Sequence, residues 1–148
     1  MGAGRRHGAH GPPVWRRLRG CRGSCGDGRS IAAREGVRLL WVLGVDMAHM
    51  GRRYGDRFEA AAGRGEMEDV TRRDRSRIER MEQGDAAGFW ERVRDNRPQG
   101  NDDLKWCGAS PIYTFLSAMP DVRGSLLHYQ QWNIDPHSVV SFAGMRFH

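Results

Sequence analysis

Asp46 and His49 place a carboxylate and an imidazole three residues apart, in Asp46-Met47-Ala48-His49-Met50-Gly51. The imidazole of such a pair can act as a general base or a metal ligand, with the carboxylate orienting it or charging the site. The competing reading is a turn Asp beside a hydrogen-bonded structural His, and D-x-x-H alone does not separate the two. Cys107 is the third candidate, in Trp106-Cys107-Gly108-Ala109-Ser110-Pro111-Ile112. It stands just ahead of an expected helix, whose positive end favours an anion. A thiolate there is a nucleophile or a soft metal ligand. Against this stands the ordinary fate of a free cysteine, a small buried hydrophobe.

Positioning these groups requires a scaffold. Val37 to Val45 reads V-R-L-L-W-V-L-G-V, a nearly unbroken apolar run with β-branched and aromatic members. It is too short for an ordinary helix and fits a strand covered on both faces. A strand of that kind implies a parallel or mixed sheet with helices on both sides, an α/β architecture. Asp46 and His49 then lie on the loop leaving the strand, where open α/β sheets bind ligands. Gly51 to Gly65 reads as a loop. Glu66 to Gln83 reads as a surface helix, its apolar stripe of Met67, Val70, Ile78 and Met81 interrupted by Asp74. Gly84 ends that helix and Asp85 caps the next, which buries Phe89, Trp90 and Val93 and closes at Pro98 and Gly100. Ser110-Pro111 predicts a helix start, followed by a buried face of Ile112, Phe115, Leu116 and Met119, with Pro120 as the stop. Two strands finish the chain, over 125–130 and 138–147. His128 and Tyr129 fall in the first, where a satisfied core His is the expected role.

The remaining residues narrow the function classes. The 148-residue chain carries a formal net charge of +6, and residues 1–36 account for all of it, with eight Arg against Asp27 and Glu35. The basic balance therefore says nothing about what the rest of the chain binds. Residues 1–36 hold nine Gly and no apolar period, so disorder is expected there. The whole chain uses 23 Arg and one Lys, which suggests GC-rich coding and a mispredicted start. Nucleic-acid binding is confined to this Arg-rich segment, if it occurs. His7, His10, Cys21 and Cys25 give H-x2-H and C-x3-C in a spacing that fits no common zinc finger. Three cysteines without a secretion signal argue against a disulfide framework. No apolar run is long enough for a membrane helix. A cytoplasmic location is the expectation.

Four blocks carry a resemblance. Asp46-x-x-His49-x-Gly51, Cys107-Gly108-x-x-Pro111-Ile112, Leu127-x-Tyr129-x-Gln131 and Ser138-Val139-Val140-Ser141-Phe142-Ala143-Gly144 resemble the C-terminal part of the Memo-like family. Bacterial and archaeal members are often named AmmeMemoRadiSam system protein B. The resemblance covers residues 37–148 and implies an extradiol-dioxygenase-like α/β domain with a mixed sheet flanked by helices, related to class III extradiol dioxygenases. It implies a metal pocket, with Cys107 a metal-ligand candidate and His49 and Asp46 pocket residues. Some members bind copper or iron; others are described as peptide-binding or signalling proteins. The family's N-terminal histidine motifs should precede Val37. They are absent, and His7 and His10 do not reproduce them. The expectation is a Memo-like domain with its N-terminal half missing, a remnant of the metal pocket and little activity of its own. An apolar sheet edge should be left uncovered, with marginal stability as the result. The alternatives are a metal-dependent dioxygenase-like or redox enzyme, and a module that binds a peptide or small molecule.

Overall fold

The computed structural model describes residues 40–94 and 102–148. The Gly/Arg-rich segment, its His and Cys pairs, the expected boundary at Val37, and Pro98 and Gly100 lie outside the described residues. The elements run β1 (His49–Gly51), a 3-10 turn (Arg52–Tyr54), α1 (Glu66–Glu82), α2 (Ala86–Arg94), α3 (Ala109–Ala118), β2 (Gly124–Asp135) and β3 (Ser138–Phe147). Three helices thus pack with a three-stranded sheet in the order β1-β3-β2.

The sheet is antiparallel throughout, which corrects the parallel or mixed sheet expected. Its centre is the hairpin of β2 and β3. Period-2 alternation sorts their side chains. Tyr129 and Gln131 of β2, with Ser141 of β3, hydrogen-bond to residues of α1, while His128, Gln130 and Trp132 are exposed. The helices therefore lie against one face, not two. His128 is an exposed strand residue beside Gln130, not the core histidine expected.

The apolar run before Asp46 is the larger correction. Its described part, residues 40–45, forms no strand, and Leu40 and Val42 are exposed. Pairing begins two residues later. Met47 N–H donates to the Ser141 carbonyl at 2.9 Å, and Ser141 N–H donates to the Ala48 carbonyl at 3.0 Å. His49 thus opens the strand instead of following one. Gly51 closes it at φ +102°, where a Cβ would stand 2.2 Å from the His137 carbonyl, so only glycine fits.

The helices follow the sequence pattern closely. α1 buries Met67, Val70, Ile78 and Met81, and also Asp74 and Arg77. Gly84 ends it at φ +66°. The Asp85 carboxylate accepts from Gly88 N–H at 2.8 Å, as the expected cap. α3 starts at Ala109, with Gly108 at the N-cap and no side-chain cap, so Ser110 does not cap it. Pro111 sits in the first turn, where its missing N–H leaves no helical bond unmade.

Arg77 is buried to 1% exposure and forms a two-pronged ion pair with Asp102, at 2.7 and 3.0 Å. Asp102 also accepts N–H groups of Leu104 and Trp106. Its carboxylate thereby folds the loop from Asp102 to Gly108 onto α1. Asp102→Ala leaves the Arg77 charge buried without its partner, so it should cost about 3–5 kcal/mol. Urea unfolding checks this, and a loss below about 1 kcal/mol would mean that the pair is dispensable.

Candidate metal centre

The segment 46–49 and the loop 104–108 run side by side. His49 N–H donates to the Leu104 carbonyl at 2.8 Å, and Gly108 N–H donates to the Asp46 carbonyl at 3.2 Å. Gly108 makes the approach feasible, since a Cβ there would stand 2.7 Å from Val45 Cγ2 and 3.0 Å from the Asp46 carbonyl oxygen. Lys105 adopts φ +54°, a backbone conformation uncommon for a side-chain-bearing residue. Its ammonium reaches Asp56 at 2.7 Å, and the other Asp56 oxygen accepts Gly51 N–H at 2.8 Å.

These bonds bring Asp46, His49 and Cys107 together, with one ligand-type atom from each lying within 4.8 Å of the others. The imidazole is the best defined of the three. Its Nδ1 lies 2.9 Å from the Met47 carbonyl and 3.0 Å from the Lys105 carbonyl. Carbonyl oxygens only accept, so in the neutral ring Nδ1 carries the proton and Nε2 keeps its lone pair. Nε2 faces Asp46, 3.9 Å from Oδ2. Tyr54 packs edge-on against the ring at 5.0 Å. Cys107 is exposed, which sets aside the buried-hydrophobe reading, and its Sγ lies 3.4 Å from the Asp46 carbonyl. Asp46 is the looser member, with its side chain 57% exposed.

The family model for Memo-like proteins matches residues 24–146. This chain belongs to the Memo-like family. The matched span contains all three residues of the cluster. No curated protein matches the chain. Among the described residues, Asp46, His49 and Cys107 are a group of acidic, imidazole and thiol side chains close enough together to hold a metal ion.

The donor set fits a transition metal. Thiolate and imidazole together suit copper, zinc and iron better than magnesium or calcium. Metal–ligand bonds of about 2.0–2.3 Å put tetrahedral ligands about 3.3–3.8 Å apart. Closure from a spacing of up to 4.8 Å needs about 1 Å of movement. An apolar cavity of about 320 Å³, lined by Trp41, Leu43, Met47, Met81, Phe115 and Met145 among others, takes none of the three residues in its wall.

Pattern reading passed over Asp74, which interrupted an apolar stripe and lies fully buried. Its Oδ1 accepts the Trp106 indole N–H at 2.8 Å. Its Oδ2 accepts the hydroxyls of Tyr129 at 2.8 Å and Ser141 at 2.6 Å. Burial pushes the Asp74 carboxyl above its ordinary 3.8, while the hydrogen bonds from Ser141, Tyr129 and Trp106 and the Arg77 charge pull it partway back. The Tyr129 phenol is pushed up to about 12 by burial and by the Asp74 charge.

The folded chain thus holds the Asp74 proton to higher pH than the unfolded chain does. The contribution of this ionisation to stability is fullest below pH 3.8 and is lost as pH rises through the folded-state value. The stability difference between wild type and Asp74→Asn should therefore shrink as pH rises above 3.8. Urea unfolding at several pH values measures it, and a difference that widens with pH would mean that the three donors outweigh burial.

Proposed function

We propose that this Memo-like chain binds a transition-metal ion through Asp46, His49 and Cys107, and has little catalytic activity of its own. The convergence of the three donor atoms carries the reading, because one imidazole nitrogen is already committed to two carbonyls and the other faces the carboxylate. Copper and iron, the metals implied by the family resemblance, both accept this donor set. His49 supplies a neutral nitrogen of fixed tautomer, and the two carbonyls hold its ring plane. Cys107 supplies sulfur from an exposed position, and Asp46 supplies an oxygen mobile enough to adjust. A bound ion would polarise a ligand that enters an open position.

Three protein ligands leave such a position, which separates this site from closed structural zinc sites that use four. Among the described residues no fourth His, Cys, Asp or Glu joins the group, and His49 is the member whose side chain is held by two carbonyls. A second reading, a module for an apolar small ligand or peptide, is favoured by the cavity alone. Phe115→Trp, which adds volume to that cavity, should abolish binding of an apolar fluorescent dye while leaving metal content unchanged.

The metal reading is tested by titrating the purified chain with cobalt(II). A thiolate ligand gives an intense near-ultraviolet charge-transfer band. Wild type should show that band at one equivalent, Cys107→Ala should lose it, and His49→Ala should weaken binding about 10- to 1,000-fold, in line with loss of one ligand bond. Identical titrations for wild type and Cys107→Ala would end the reading.

A further inference from the structure

We propose that Asp74 positions two of the three candidate ligands, His49 and Cys107, through opposite oxygens of one buried carboxylate; the proposal rests on the metal-binding reading above. Asp74 is on α1, hydrogen-bonded to neither ligand. Each of its oxygens nevertheless leads to one of them by a short path.

The first path runs through Oδ1. The Trp106 indole N–H can only donate, and it donates to Asp74 at 2.8 Å. Trp106 is the residue next to Cys107. Its ring is further held by Phe89, at 6.0 Å between centroids, and by the Arg77 guanidinium, 5.0 Å above it. Moving the indole swings the backbone that carries the thiol. The second path runs through Oδ2. The Ser141 hydroxyl donates to it at 2.6 Å, and that hydroxyl's oxygen accepts the Ala48 N–H at 2.9 Å. The polarity is fixed, because an amide N–H cannot accept. Ala48 is the residue next to His49. The Ser141 backbone also bonds Met47 and Ala48, so the serine grips the segment just ahead of the imidazole on both its faces.

A carboxylate suits this position for a specific reason. Three donors converge on it, from Trp106, Tyr129 and Ser141, and only an acceptor with two oxygens serves all three at once. An amide at position 74 turns an N–H toward one of them. Facing the indole, the N–H meets a pure donor that must give way; facing Ser141 and Tyr129, it turns their hydroxyls into acceptors and strips their own protons of a partner, and in both cases the spacing of sulfur and imidazole loosens. Supporting groups beyond the ligands commonly change metal affinity about 10- to 100-fold, and the same range is expected here.

The experiment compares wild type, Asp74→Asn and Val93→Ala, the last a destabilised control with a buried core residue shortened. Cobalt(II) affinity is read from the charge-transfer band, stability from urea unfolding, and the His49 tautomer from ring nitrogen-15 shifts without metal. Asp74→Asn should unfold cooperatively, bind cobalt about 10- to 100-fold more weakly, and shift the His49 ring nitrogens toward the tautomer average. Val93→Ala should keep wild-type affinity and wild-type ring shifts. Asp74→Asn that binds like Val93→Ala overturns the positioning role. If wild type binds no cobalt, the metal reading falls, and the ring shifts still decide: unchanged shifts in Asp74→Asn overturn the positioning role, displaced ones support it. Should Asp74→Asn fail to unfold cooperatively, Trp106→Phe and Ser141→Ala cut one path each and are judged by the same criteria.

Discussion

A carboxylate with no access to water must be surrounded by donors, and the Asp74 side chain organises the fold around that requirement. The donors come from three places far apart in the chain: the loop ahead of α3, strand β2 and strand β3. Meeting the demand of one side chain therefore fixes helix α1 against both the sheet and the loop. Arg77 repeats the logic one turn later with opposite sign, through Asp102. Among the described residues no buried side-chain nitrogen or oxygen lacks a partner, so the network is closed. A closed network of this kind specifies one arrangement, because any slip of helix on sheet strands a charge.

The amphipathic elements were legible in the sequence. The stripes of α1 and α3 are local, period-based signals, and both helices appeared where their periods placed them; β3 fills the expected span 138–147. Strand β2 proved longer than its apolar part, since pairing with β3 carries it on through Gln131, Asn133 and Asp135. The apolar run ahead of Asp46 misled because composition reports a tendency to be covered, not the identity of the cover. Leu40 and Val42 are exposed, and the backbone pairs only from Met47, where Ser141 meets it. With that strand went the parallel sheet inferred from it.

The candidate site was half legible. Residue types singled out Asp46, His49 and Cys107, and the family resemblance linked them. Their proximity depends on backbone bonds between the remote segments 46–49 and 104–108, which no local pattern reveals. Asp74 and Arg77 were illegible for the reason that makes them matter. A charge on a helix is read as solvated unless its partners are known, and those partners lie at 102, 106, 129 and 141. A lone charge breaking an apolar stripe, with a tryptophan and a hydroxyl elsewhere, is the faint signal that was there.

The distance in sequence between the two halves of the cluster has a thermodynamic corollary. A pocket stitched from remote segments vanishes the moment the chain unravels, so the denatured ensemble offers a cation no comparable seat. Occupancy of the proposed site would then act on the whole molecule as a clamp: by mass action, an ion present at about one hundred times its dissociation constant would deepen the native well by about 2.7 kcal/mol. In a molecule with exposed Leu40, Val42, Leu127 and Trp132, a gain of that size is a sizeable fraction of what a domain ordinarily possesses.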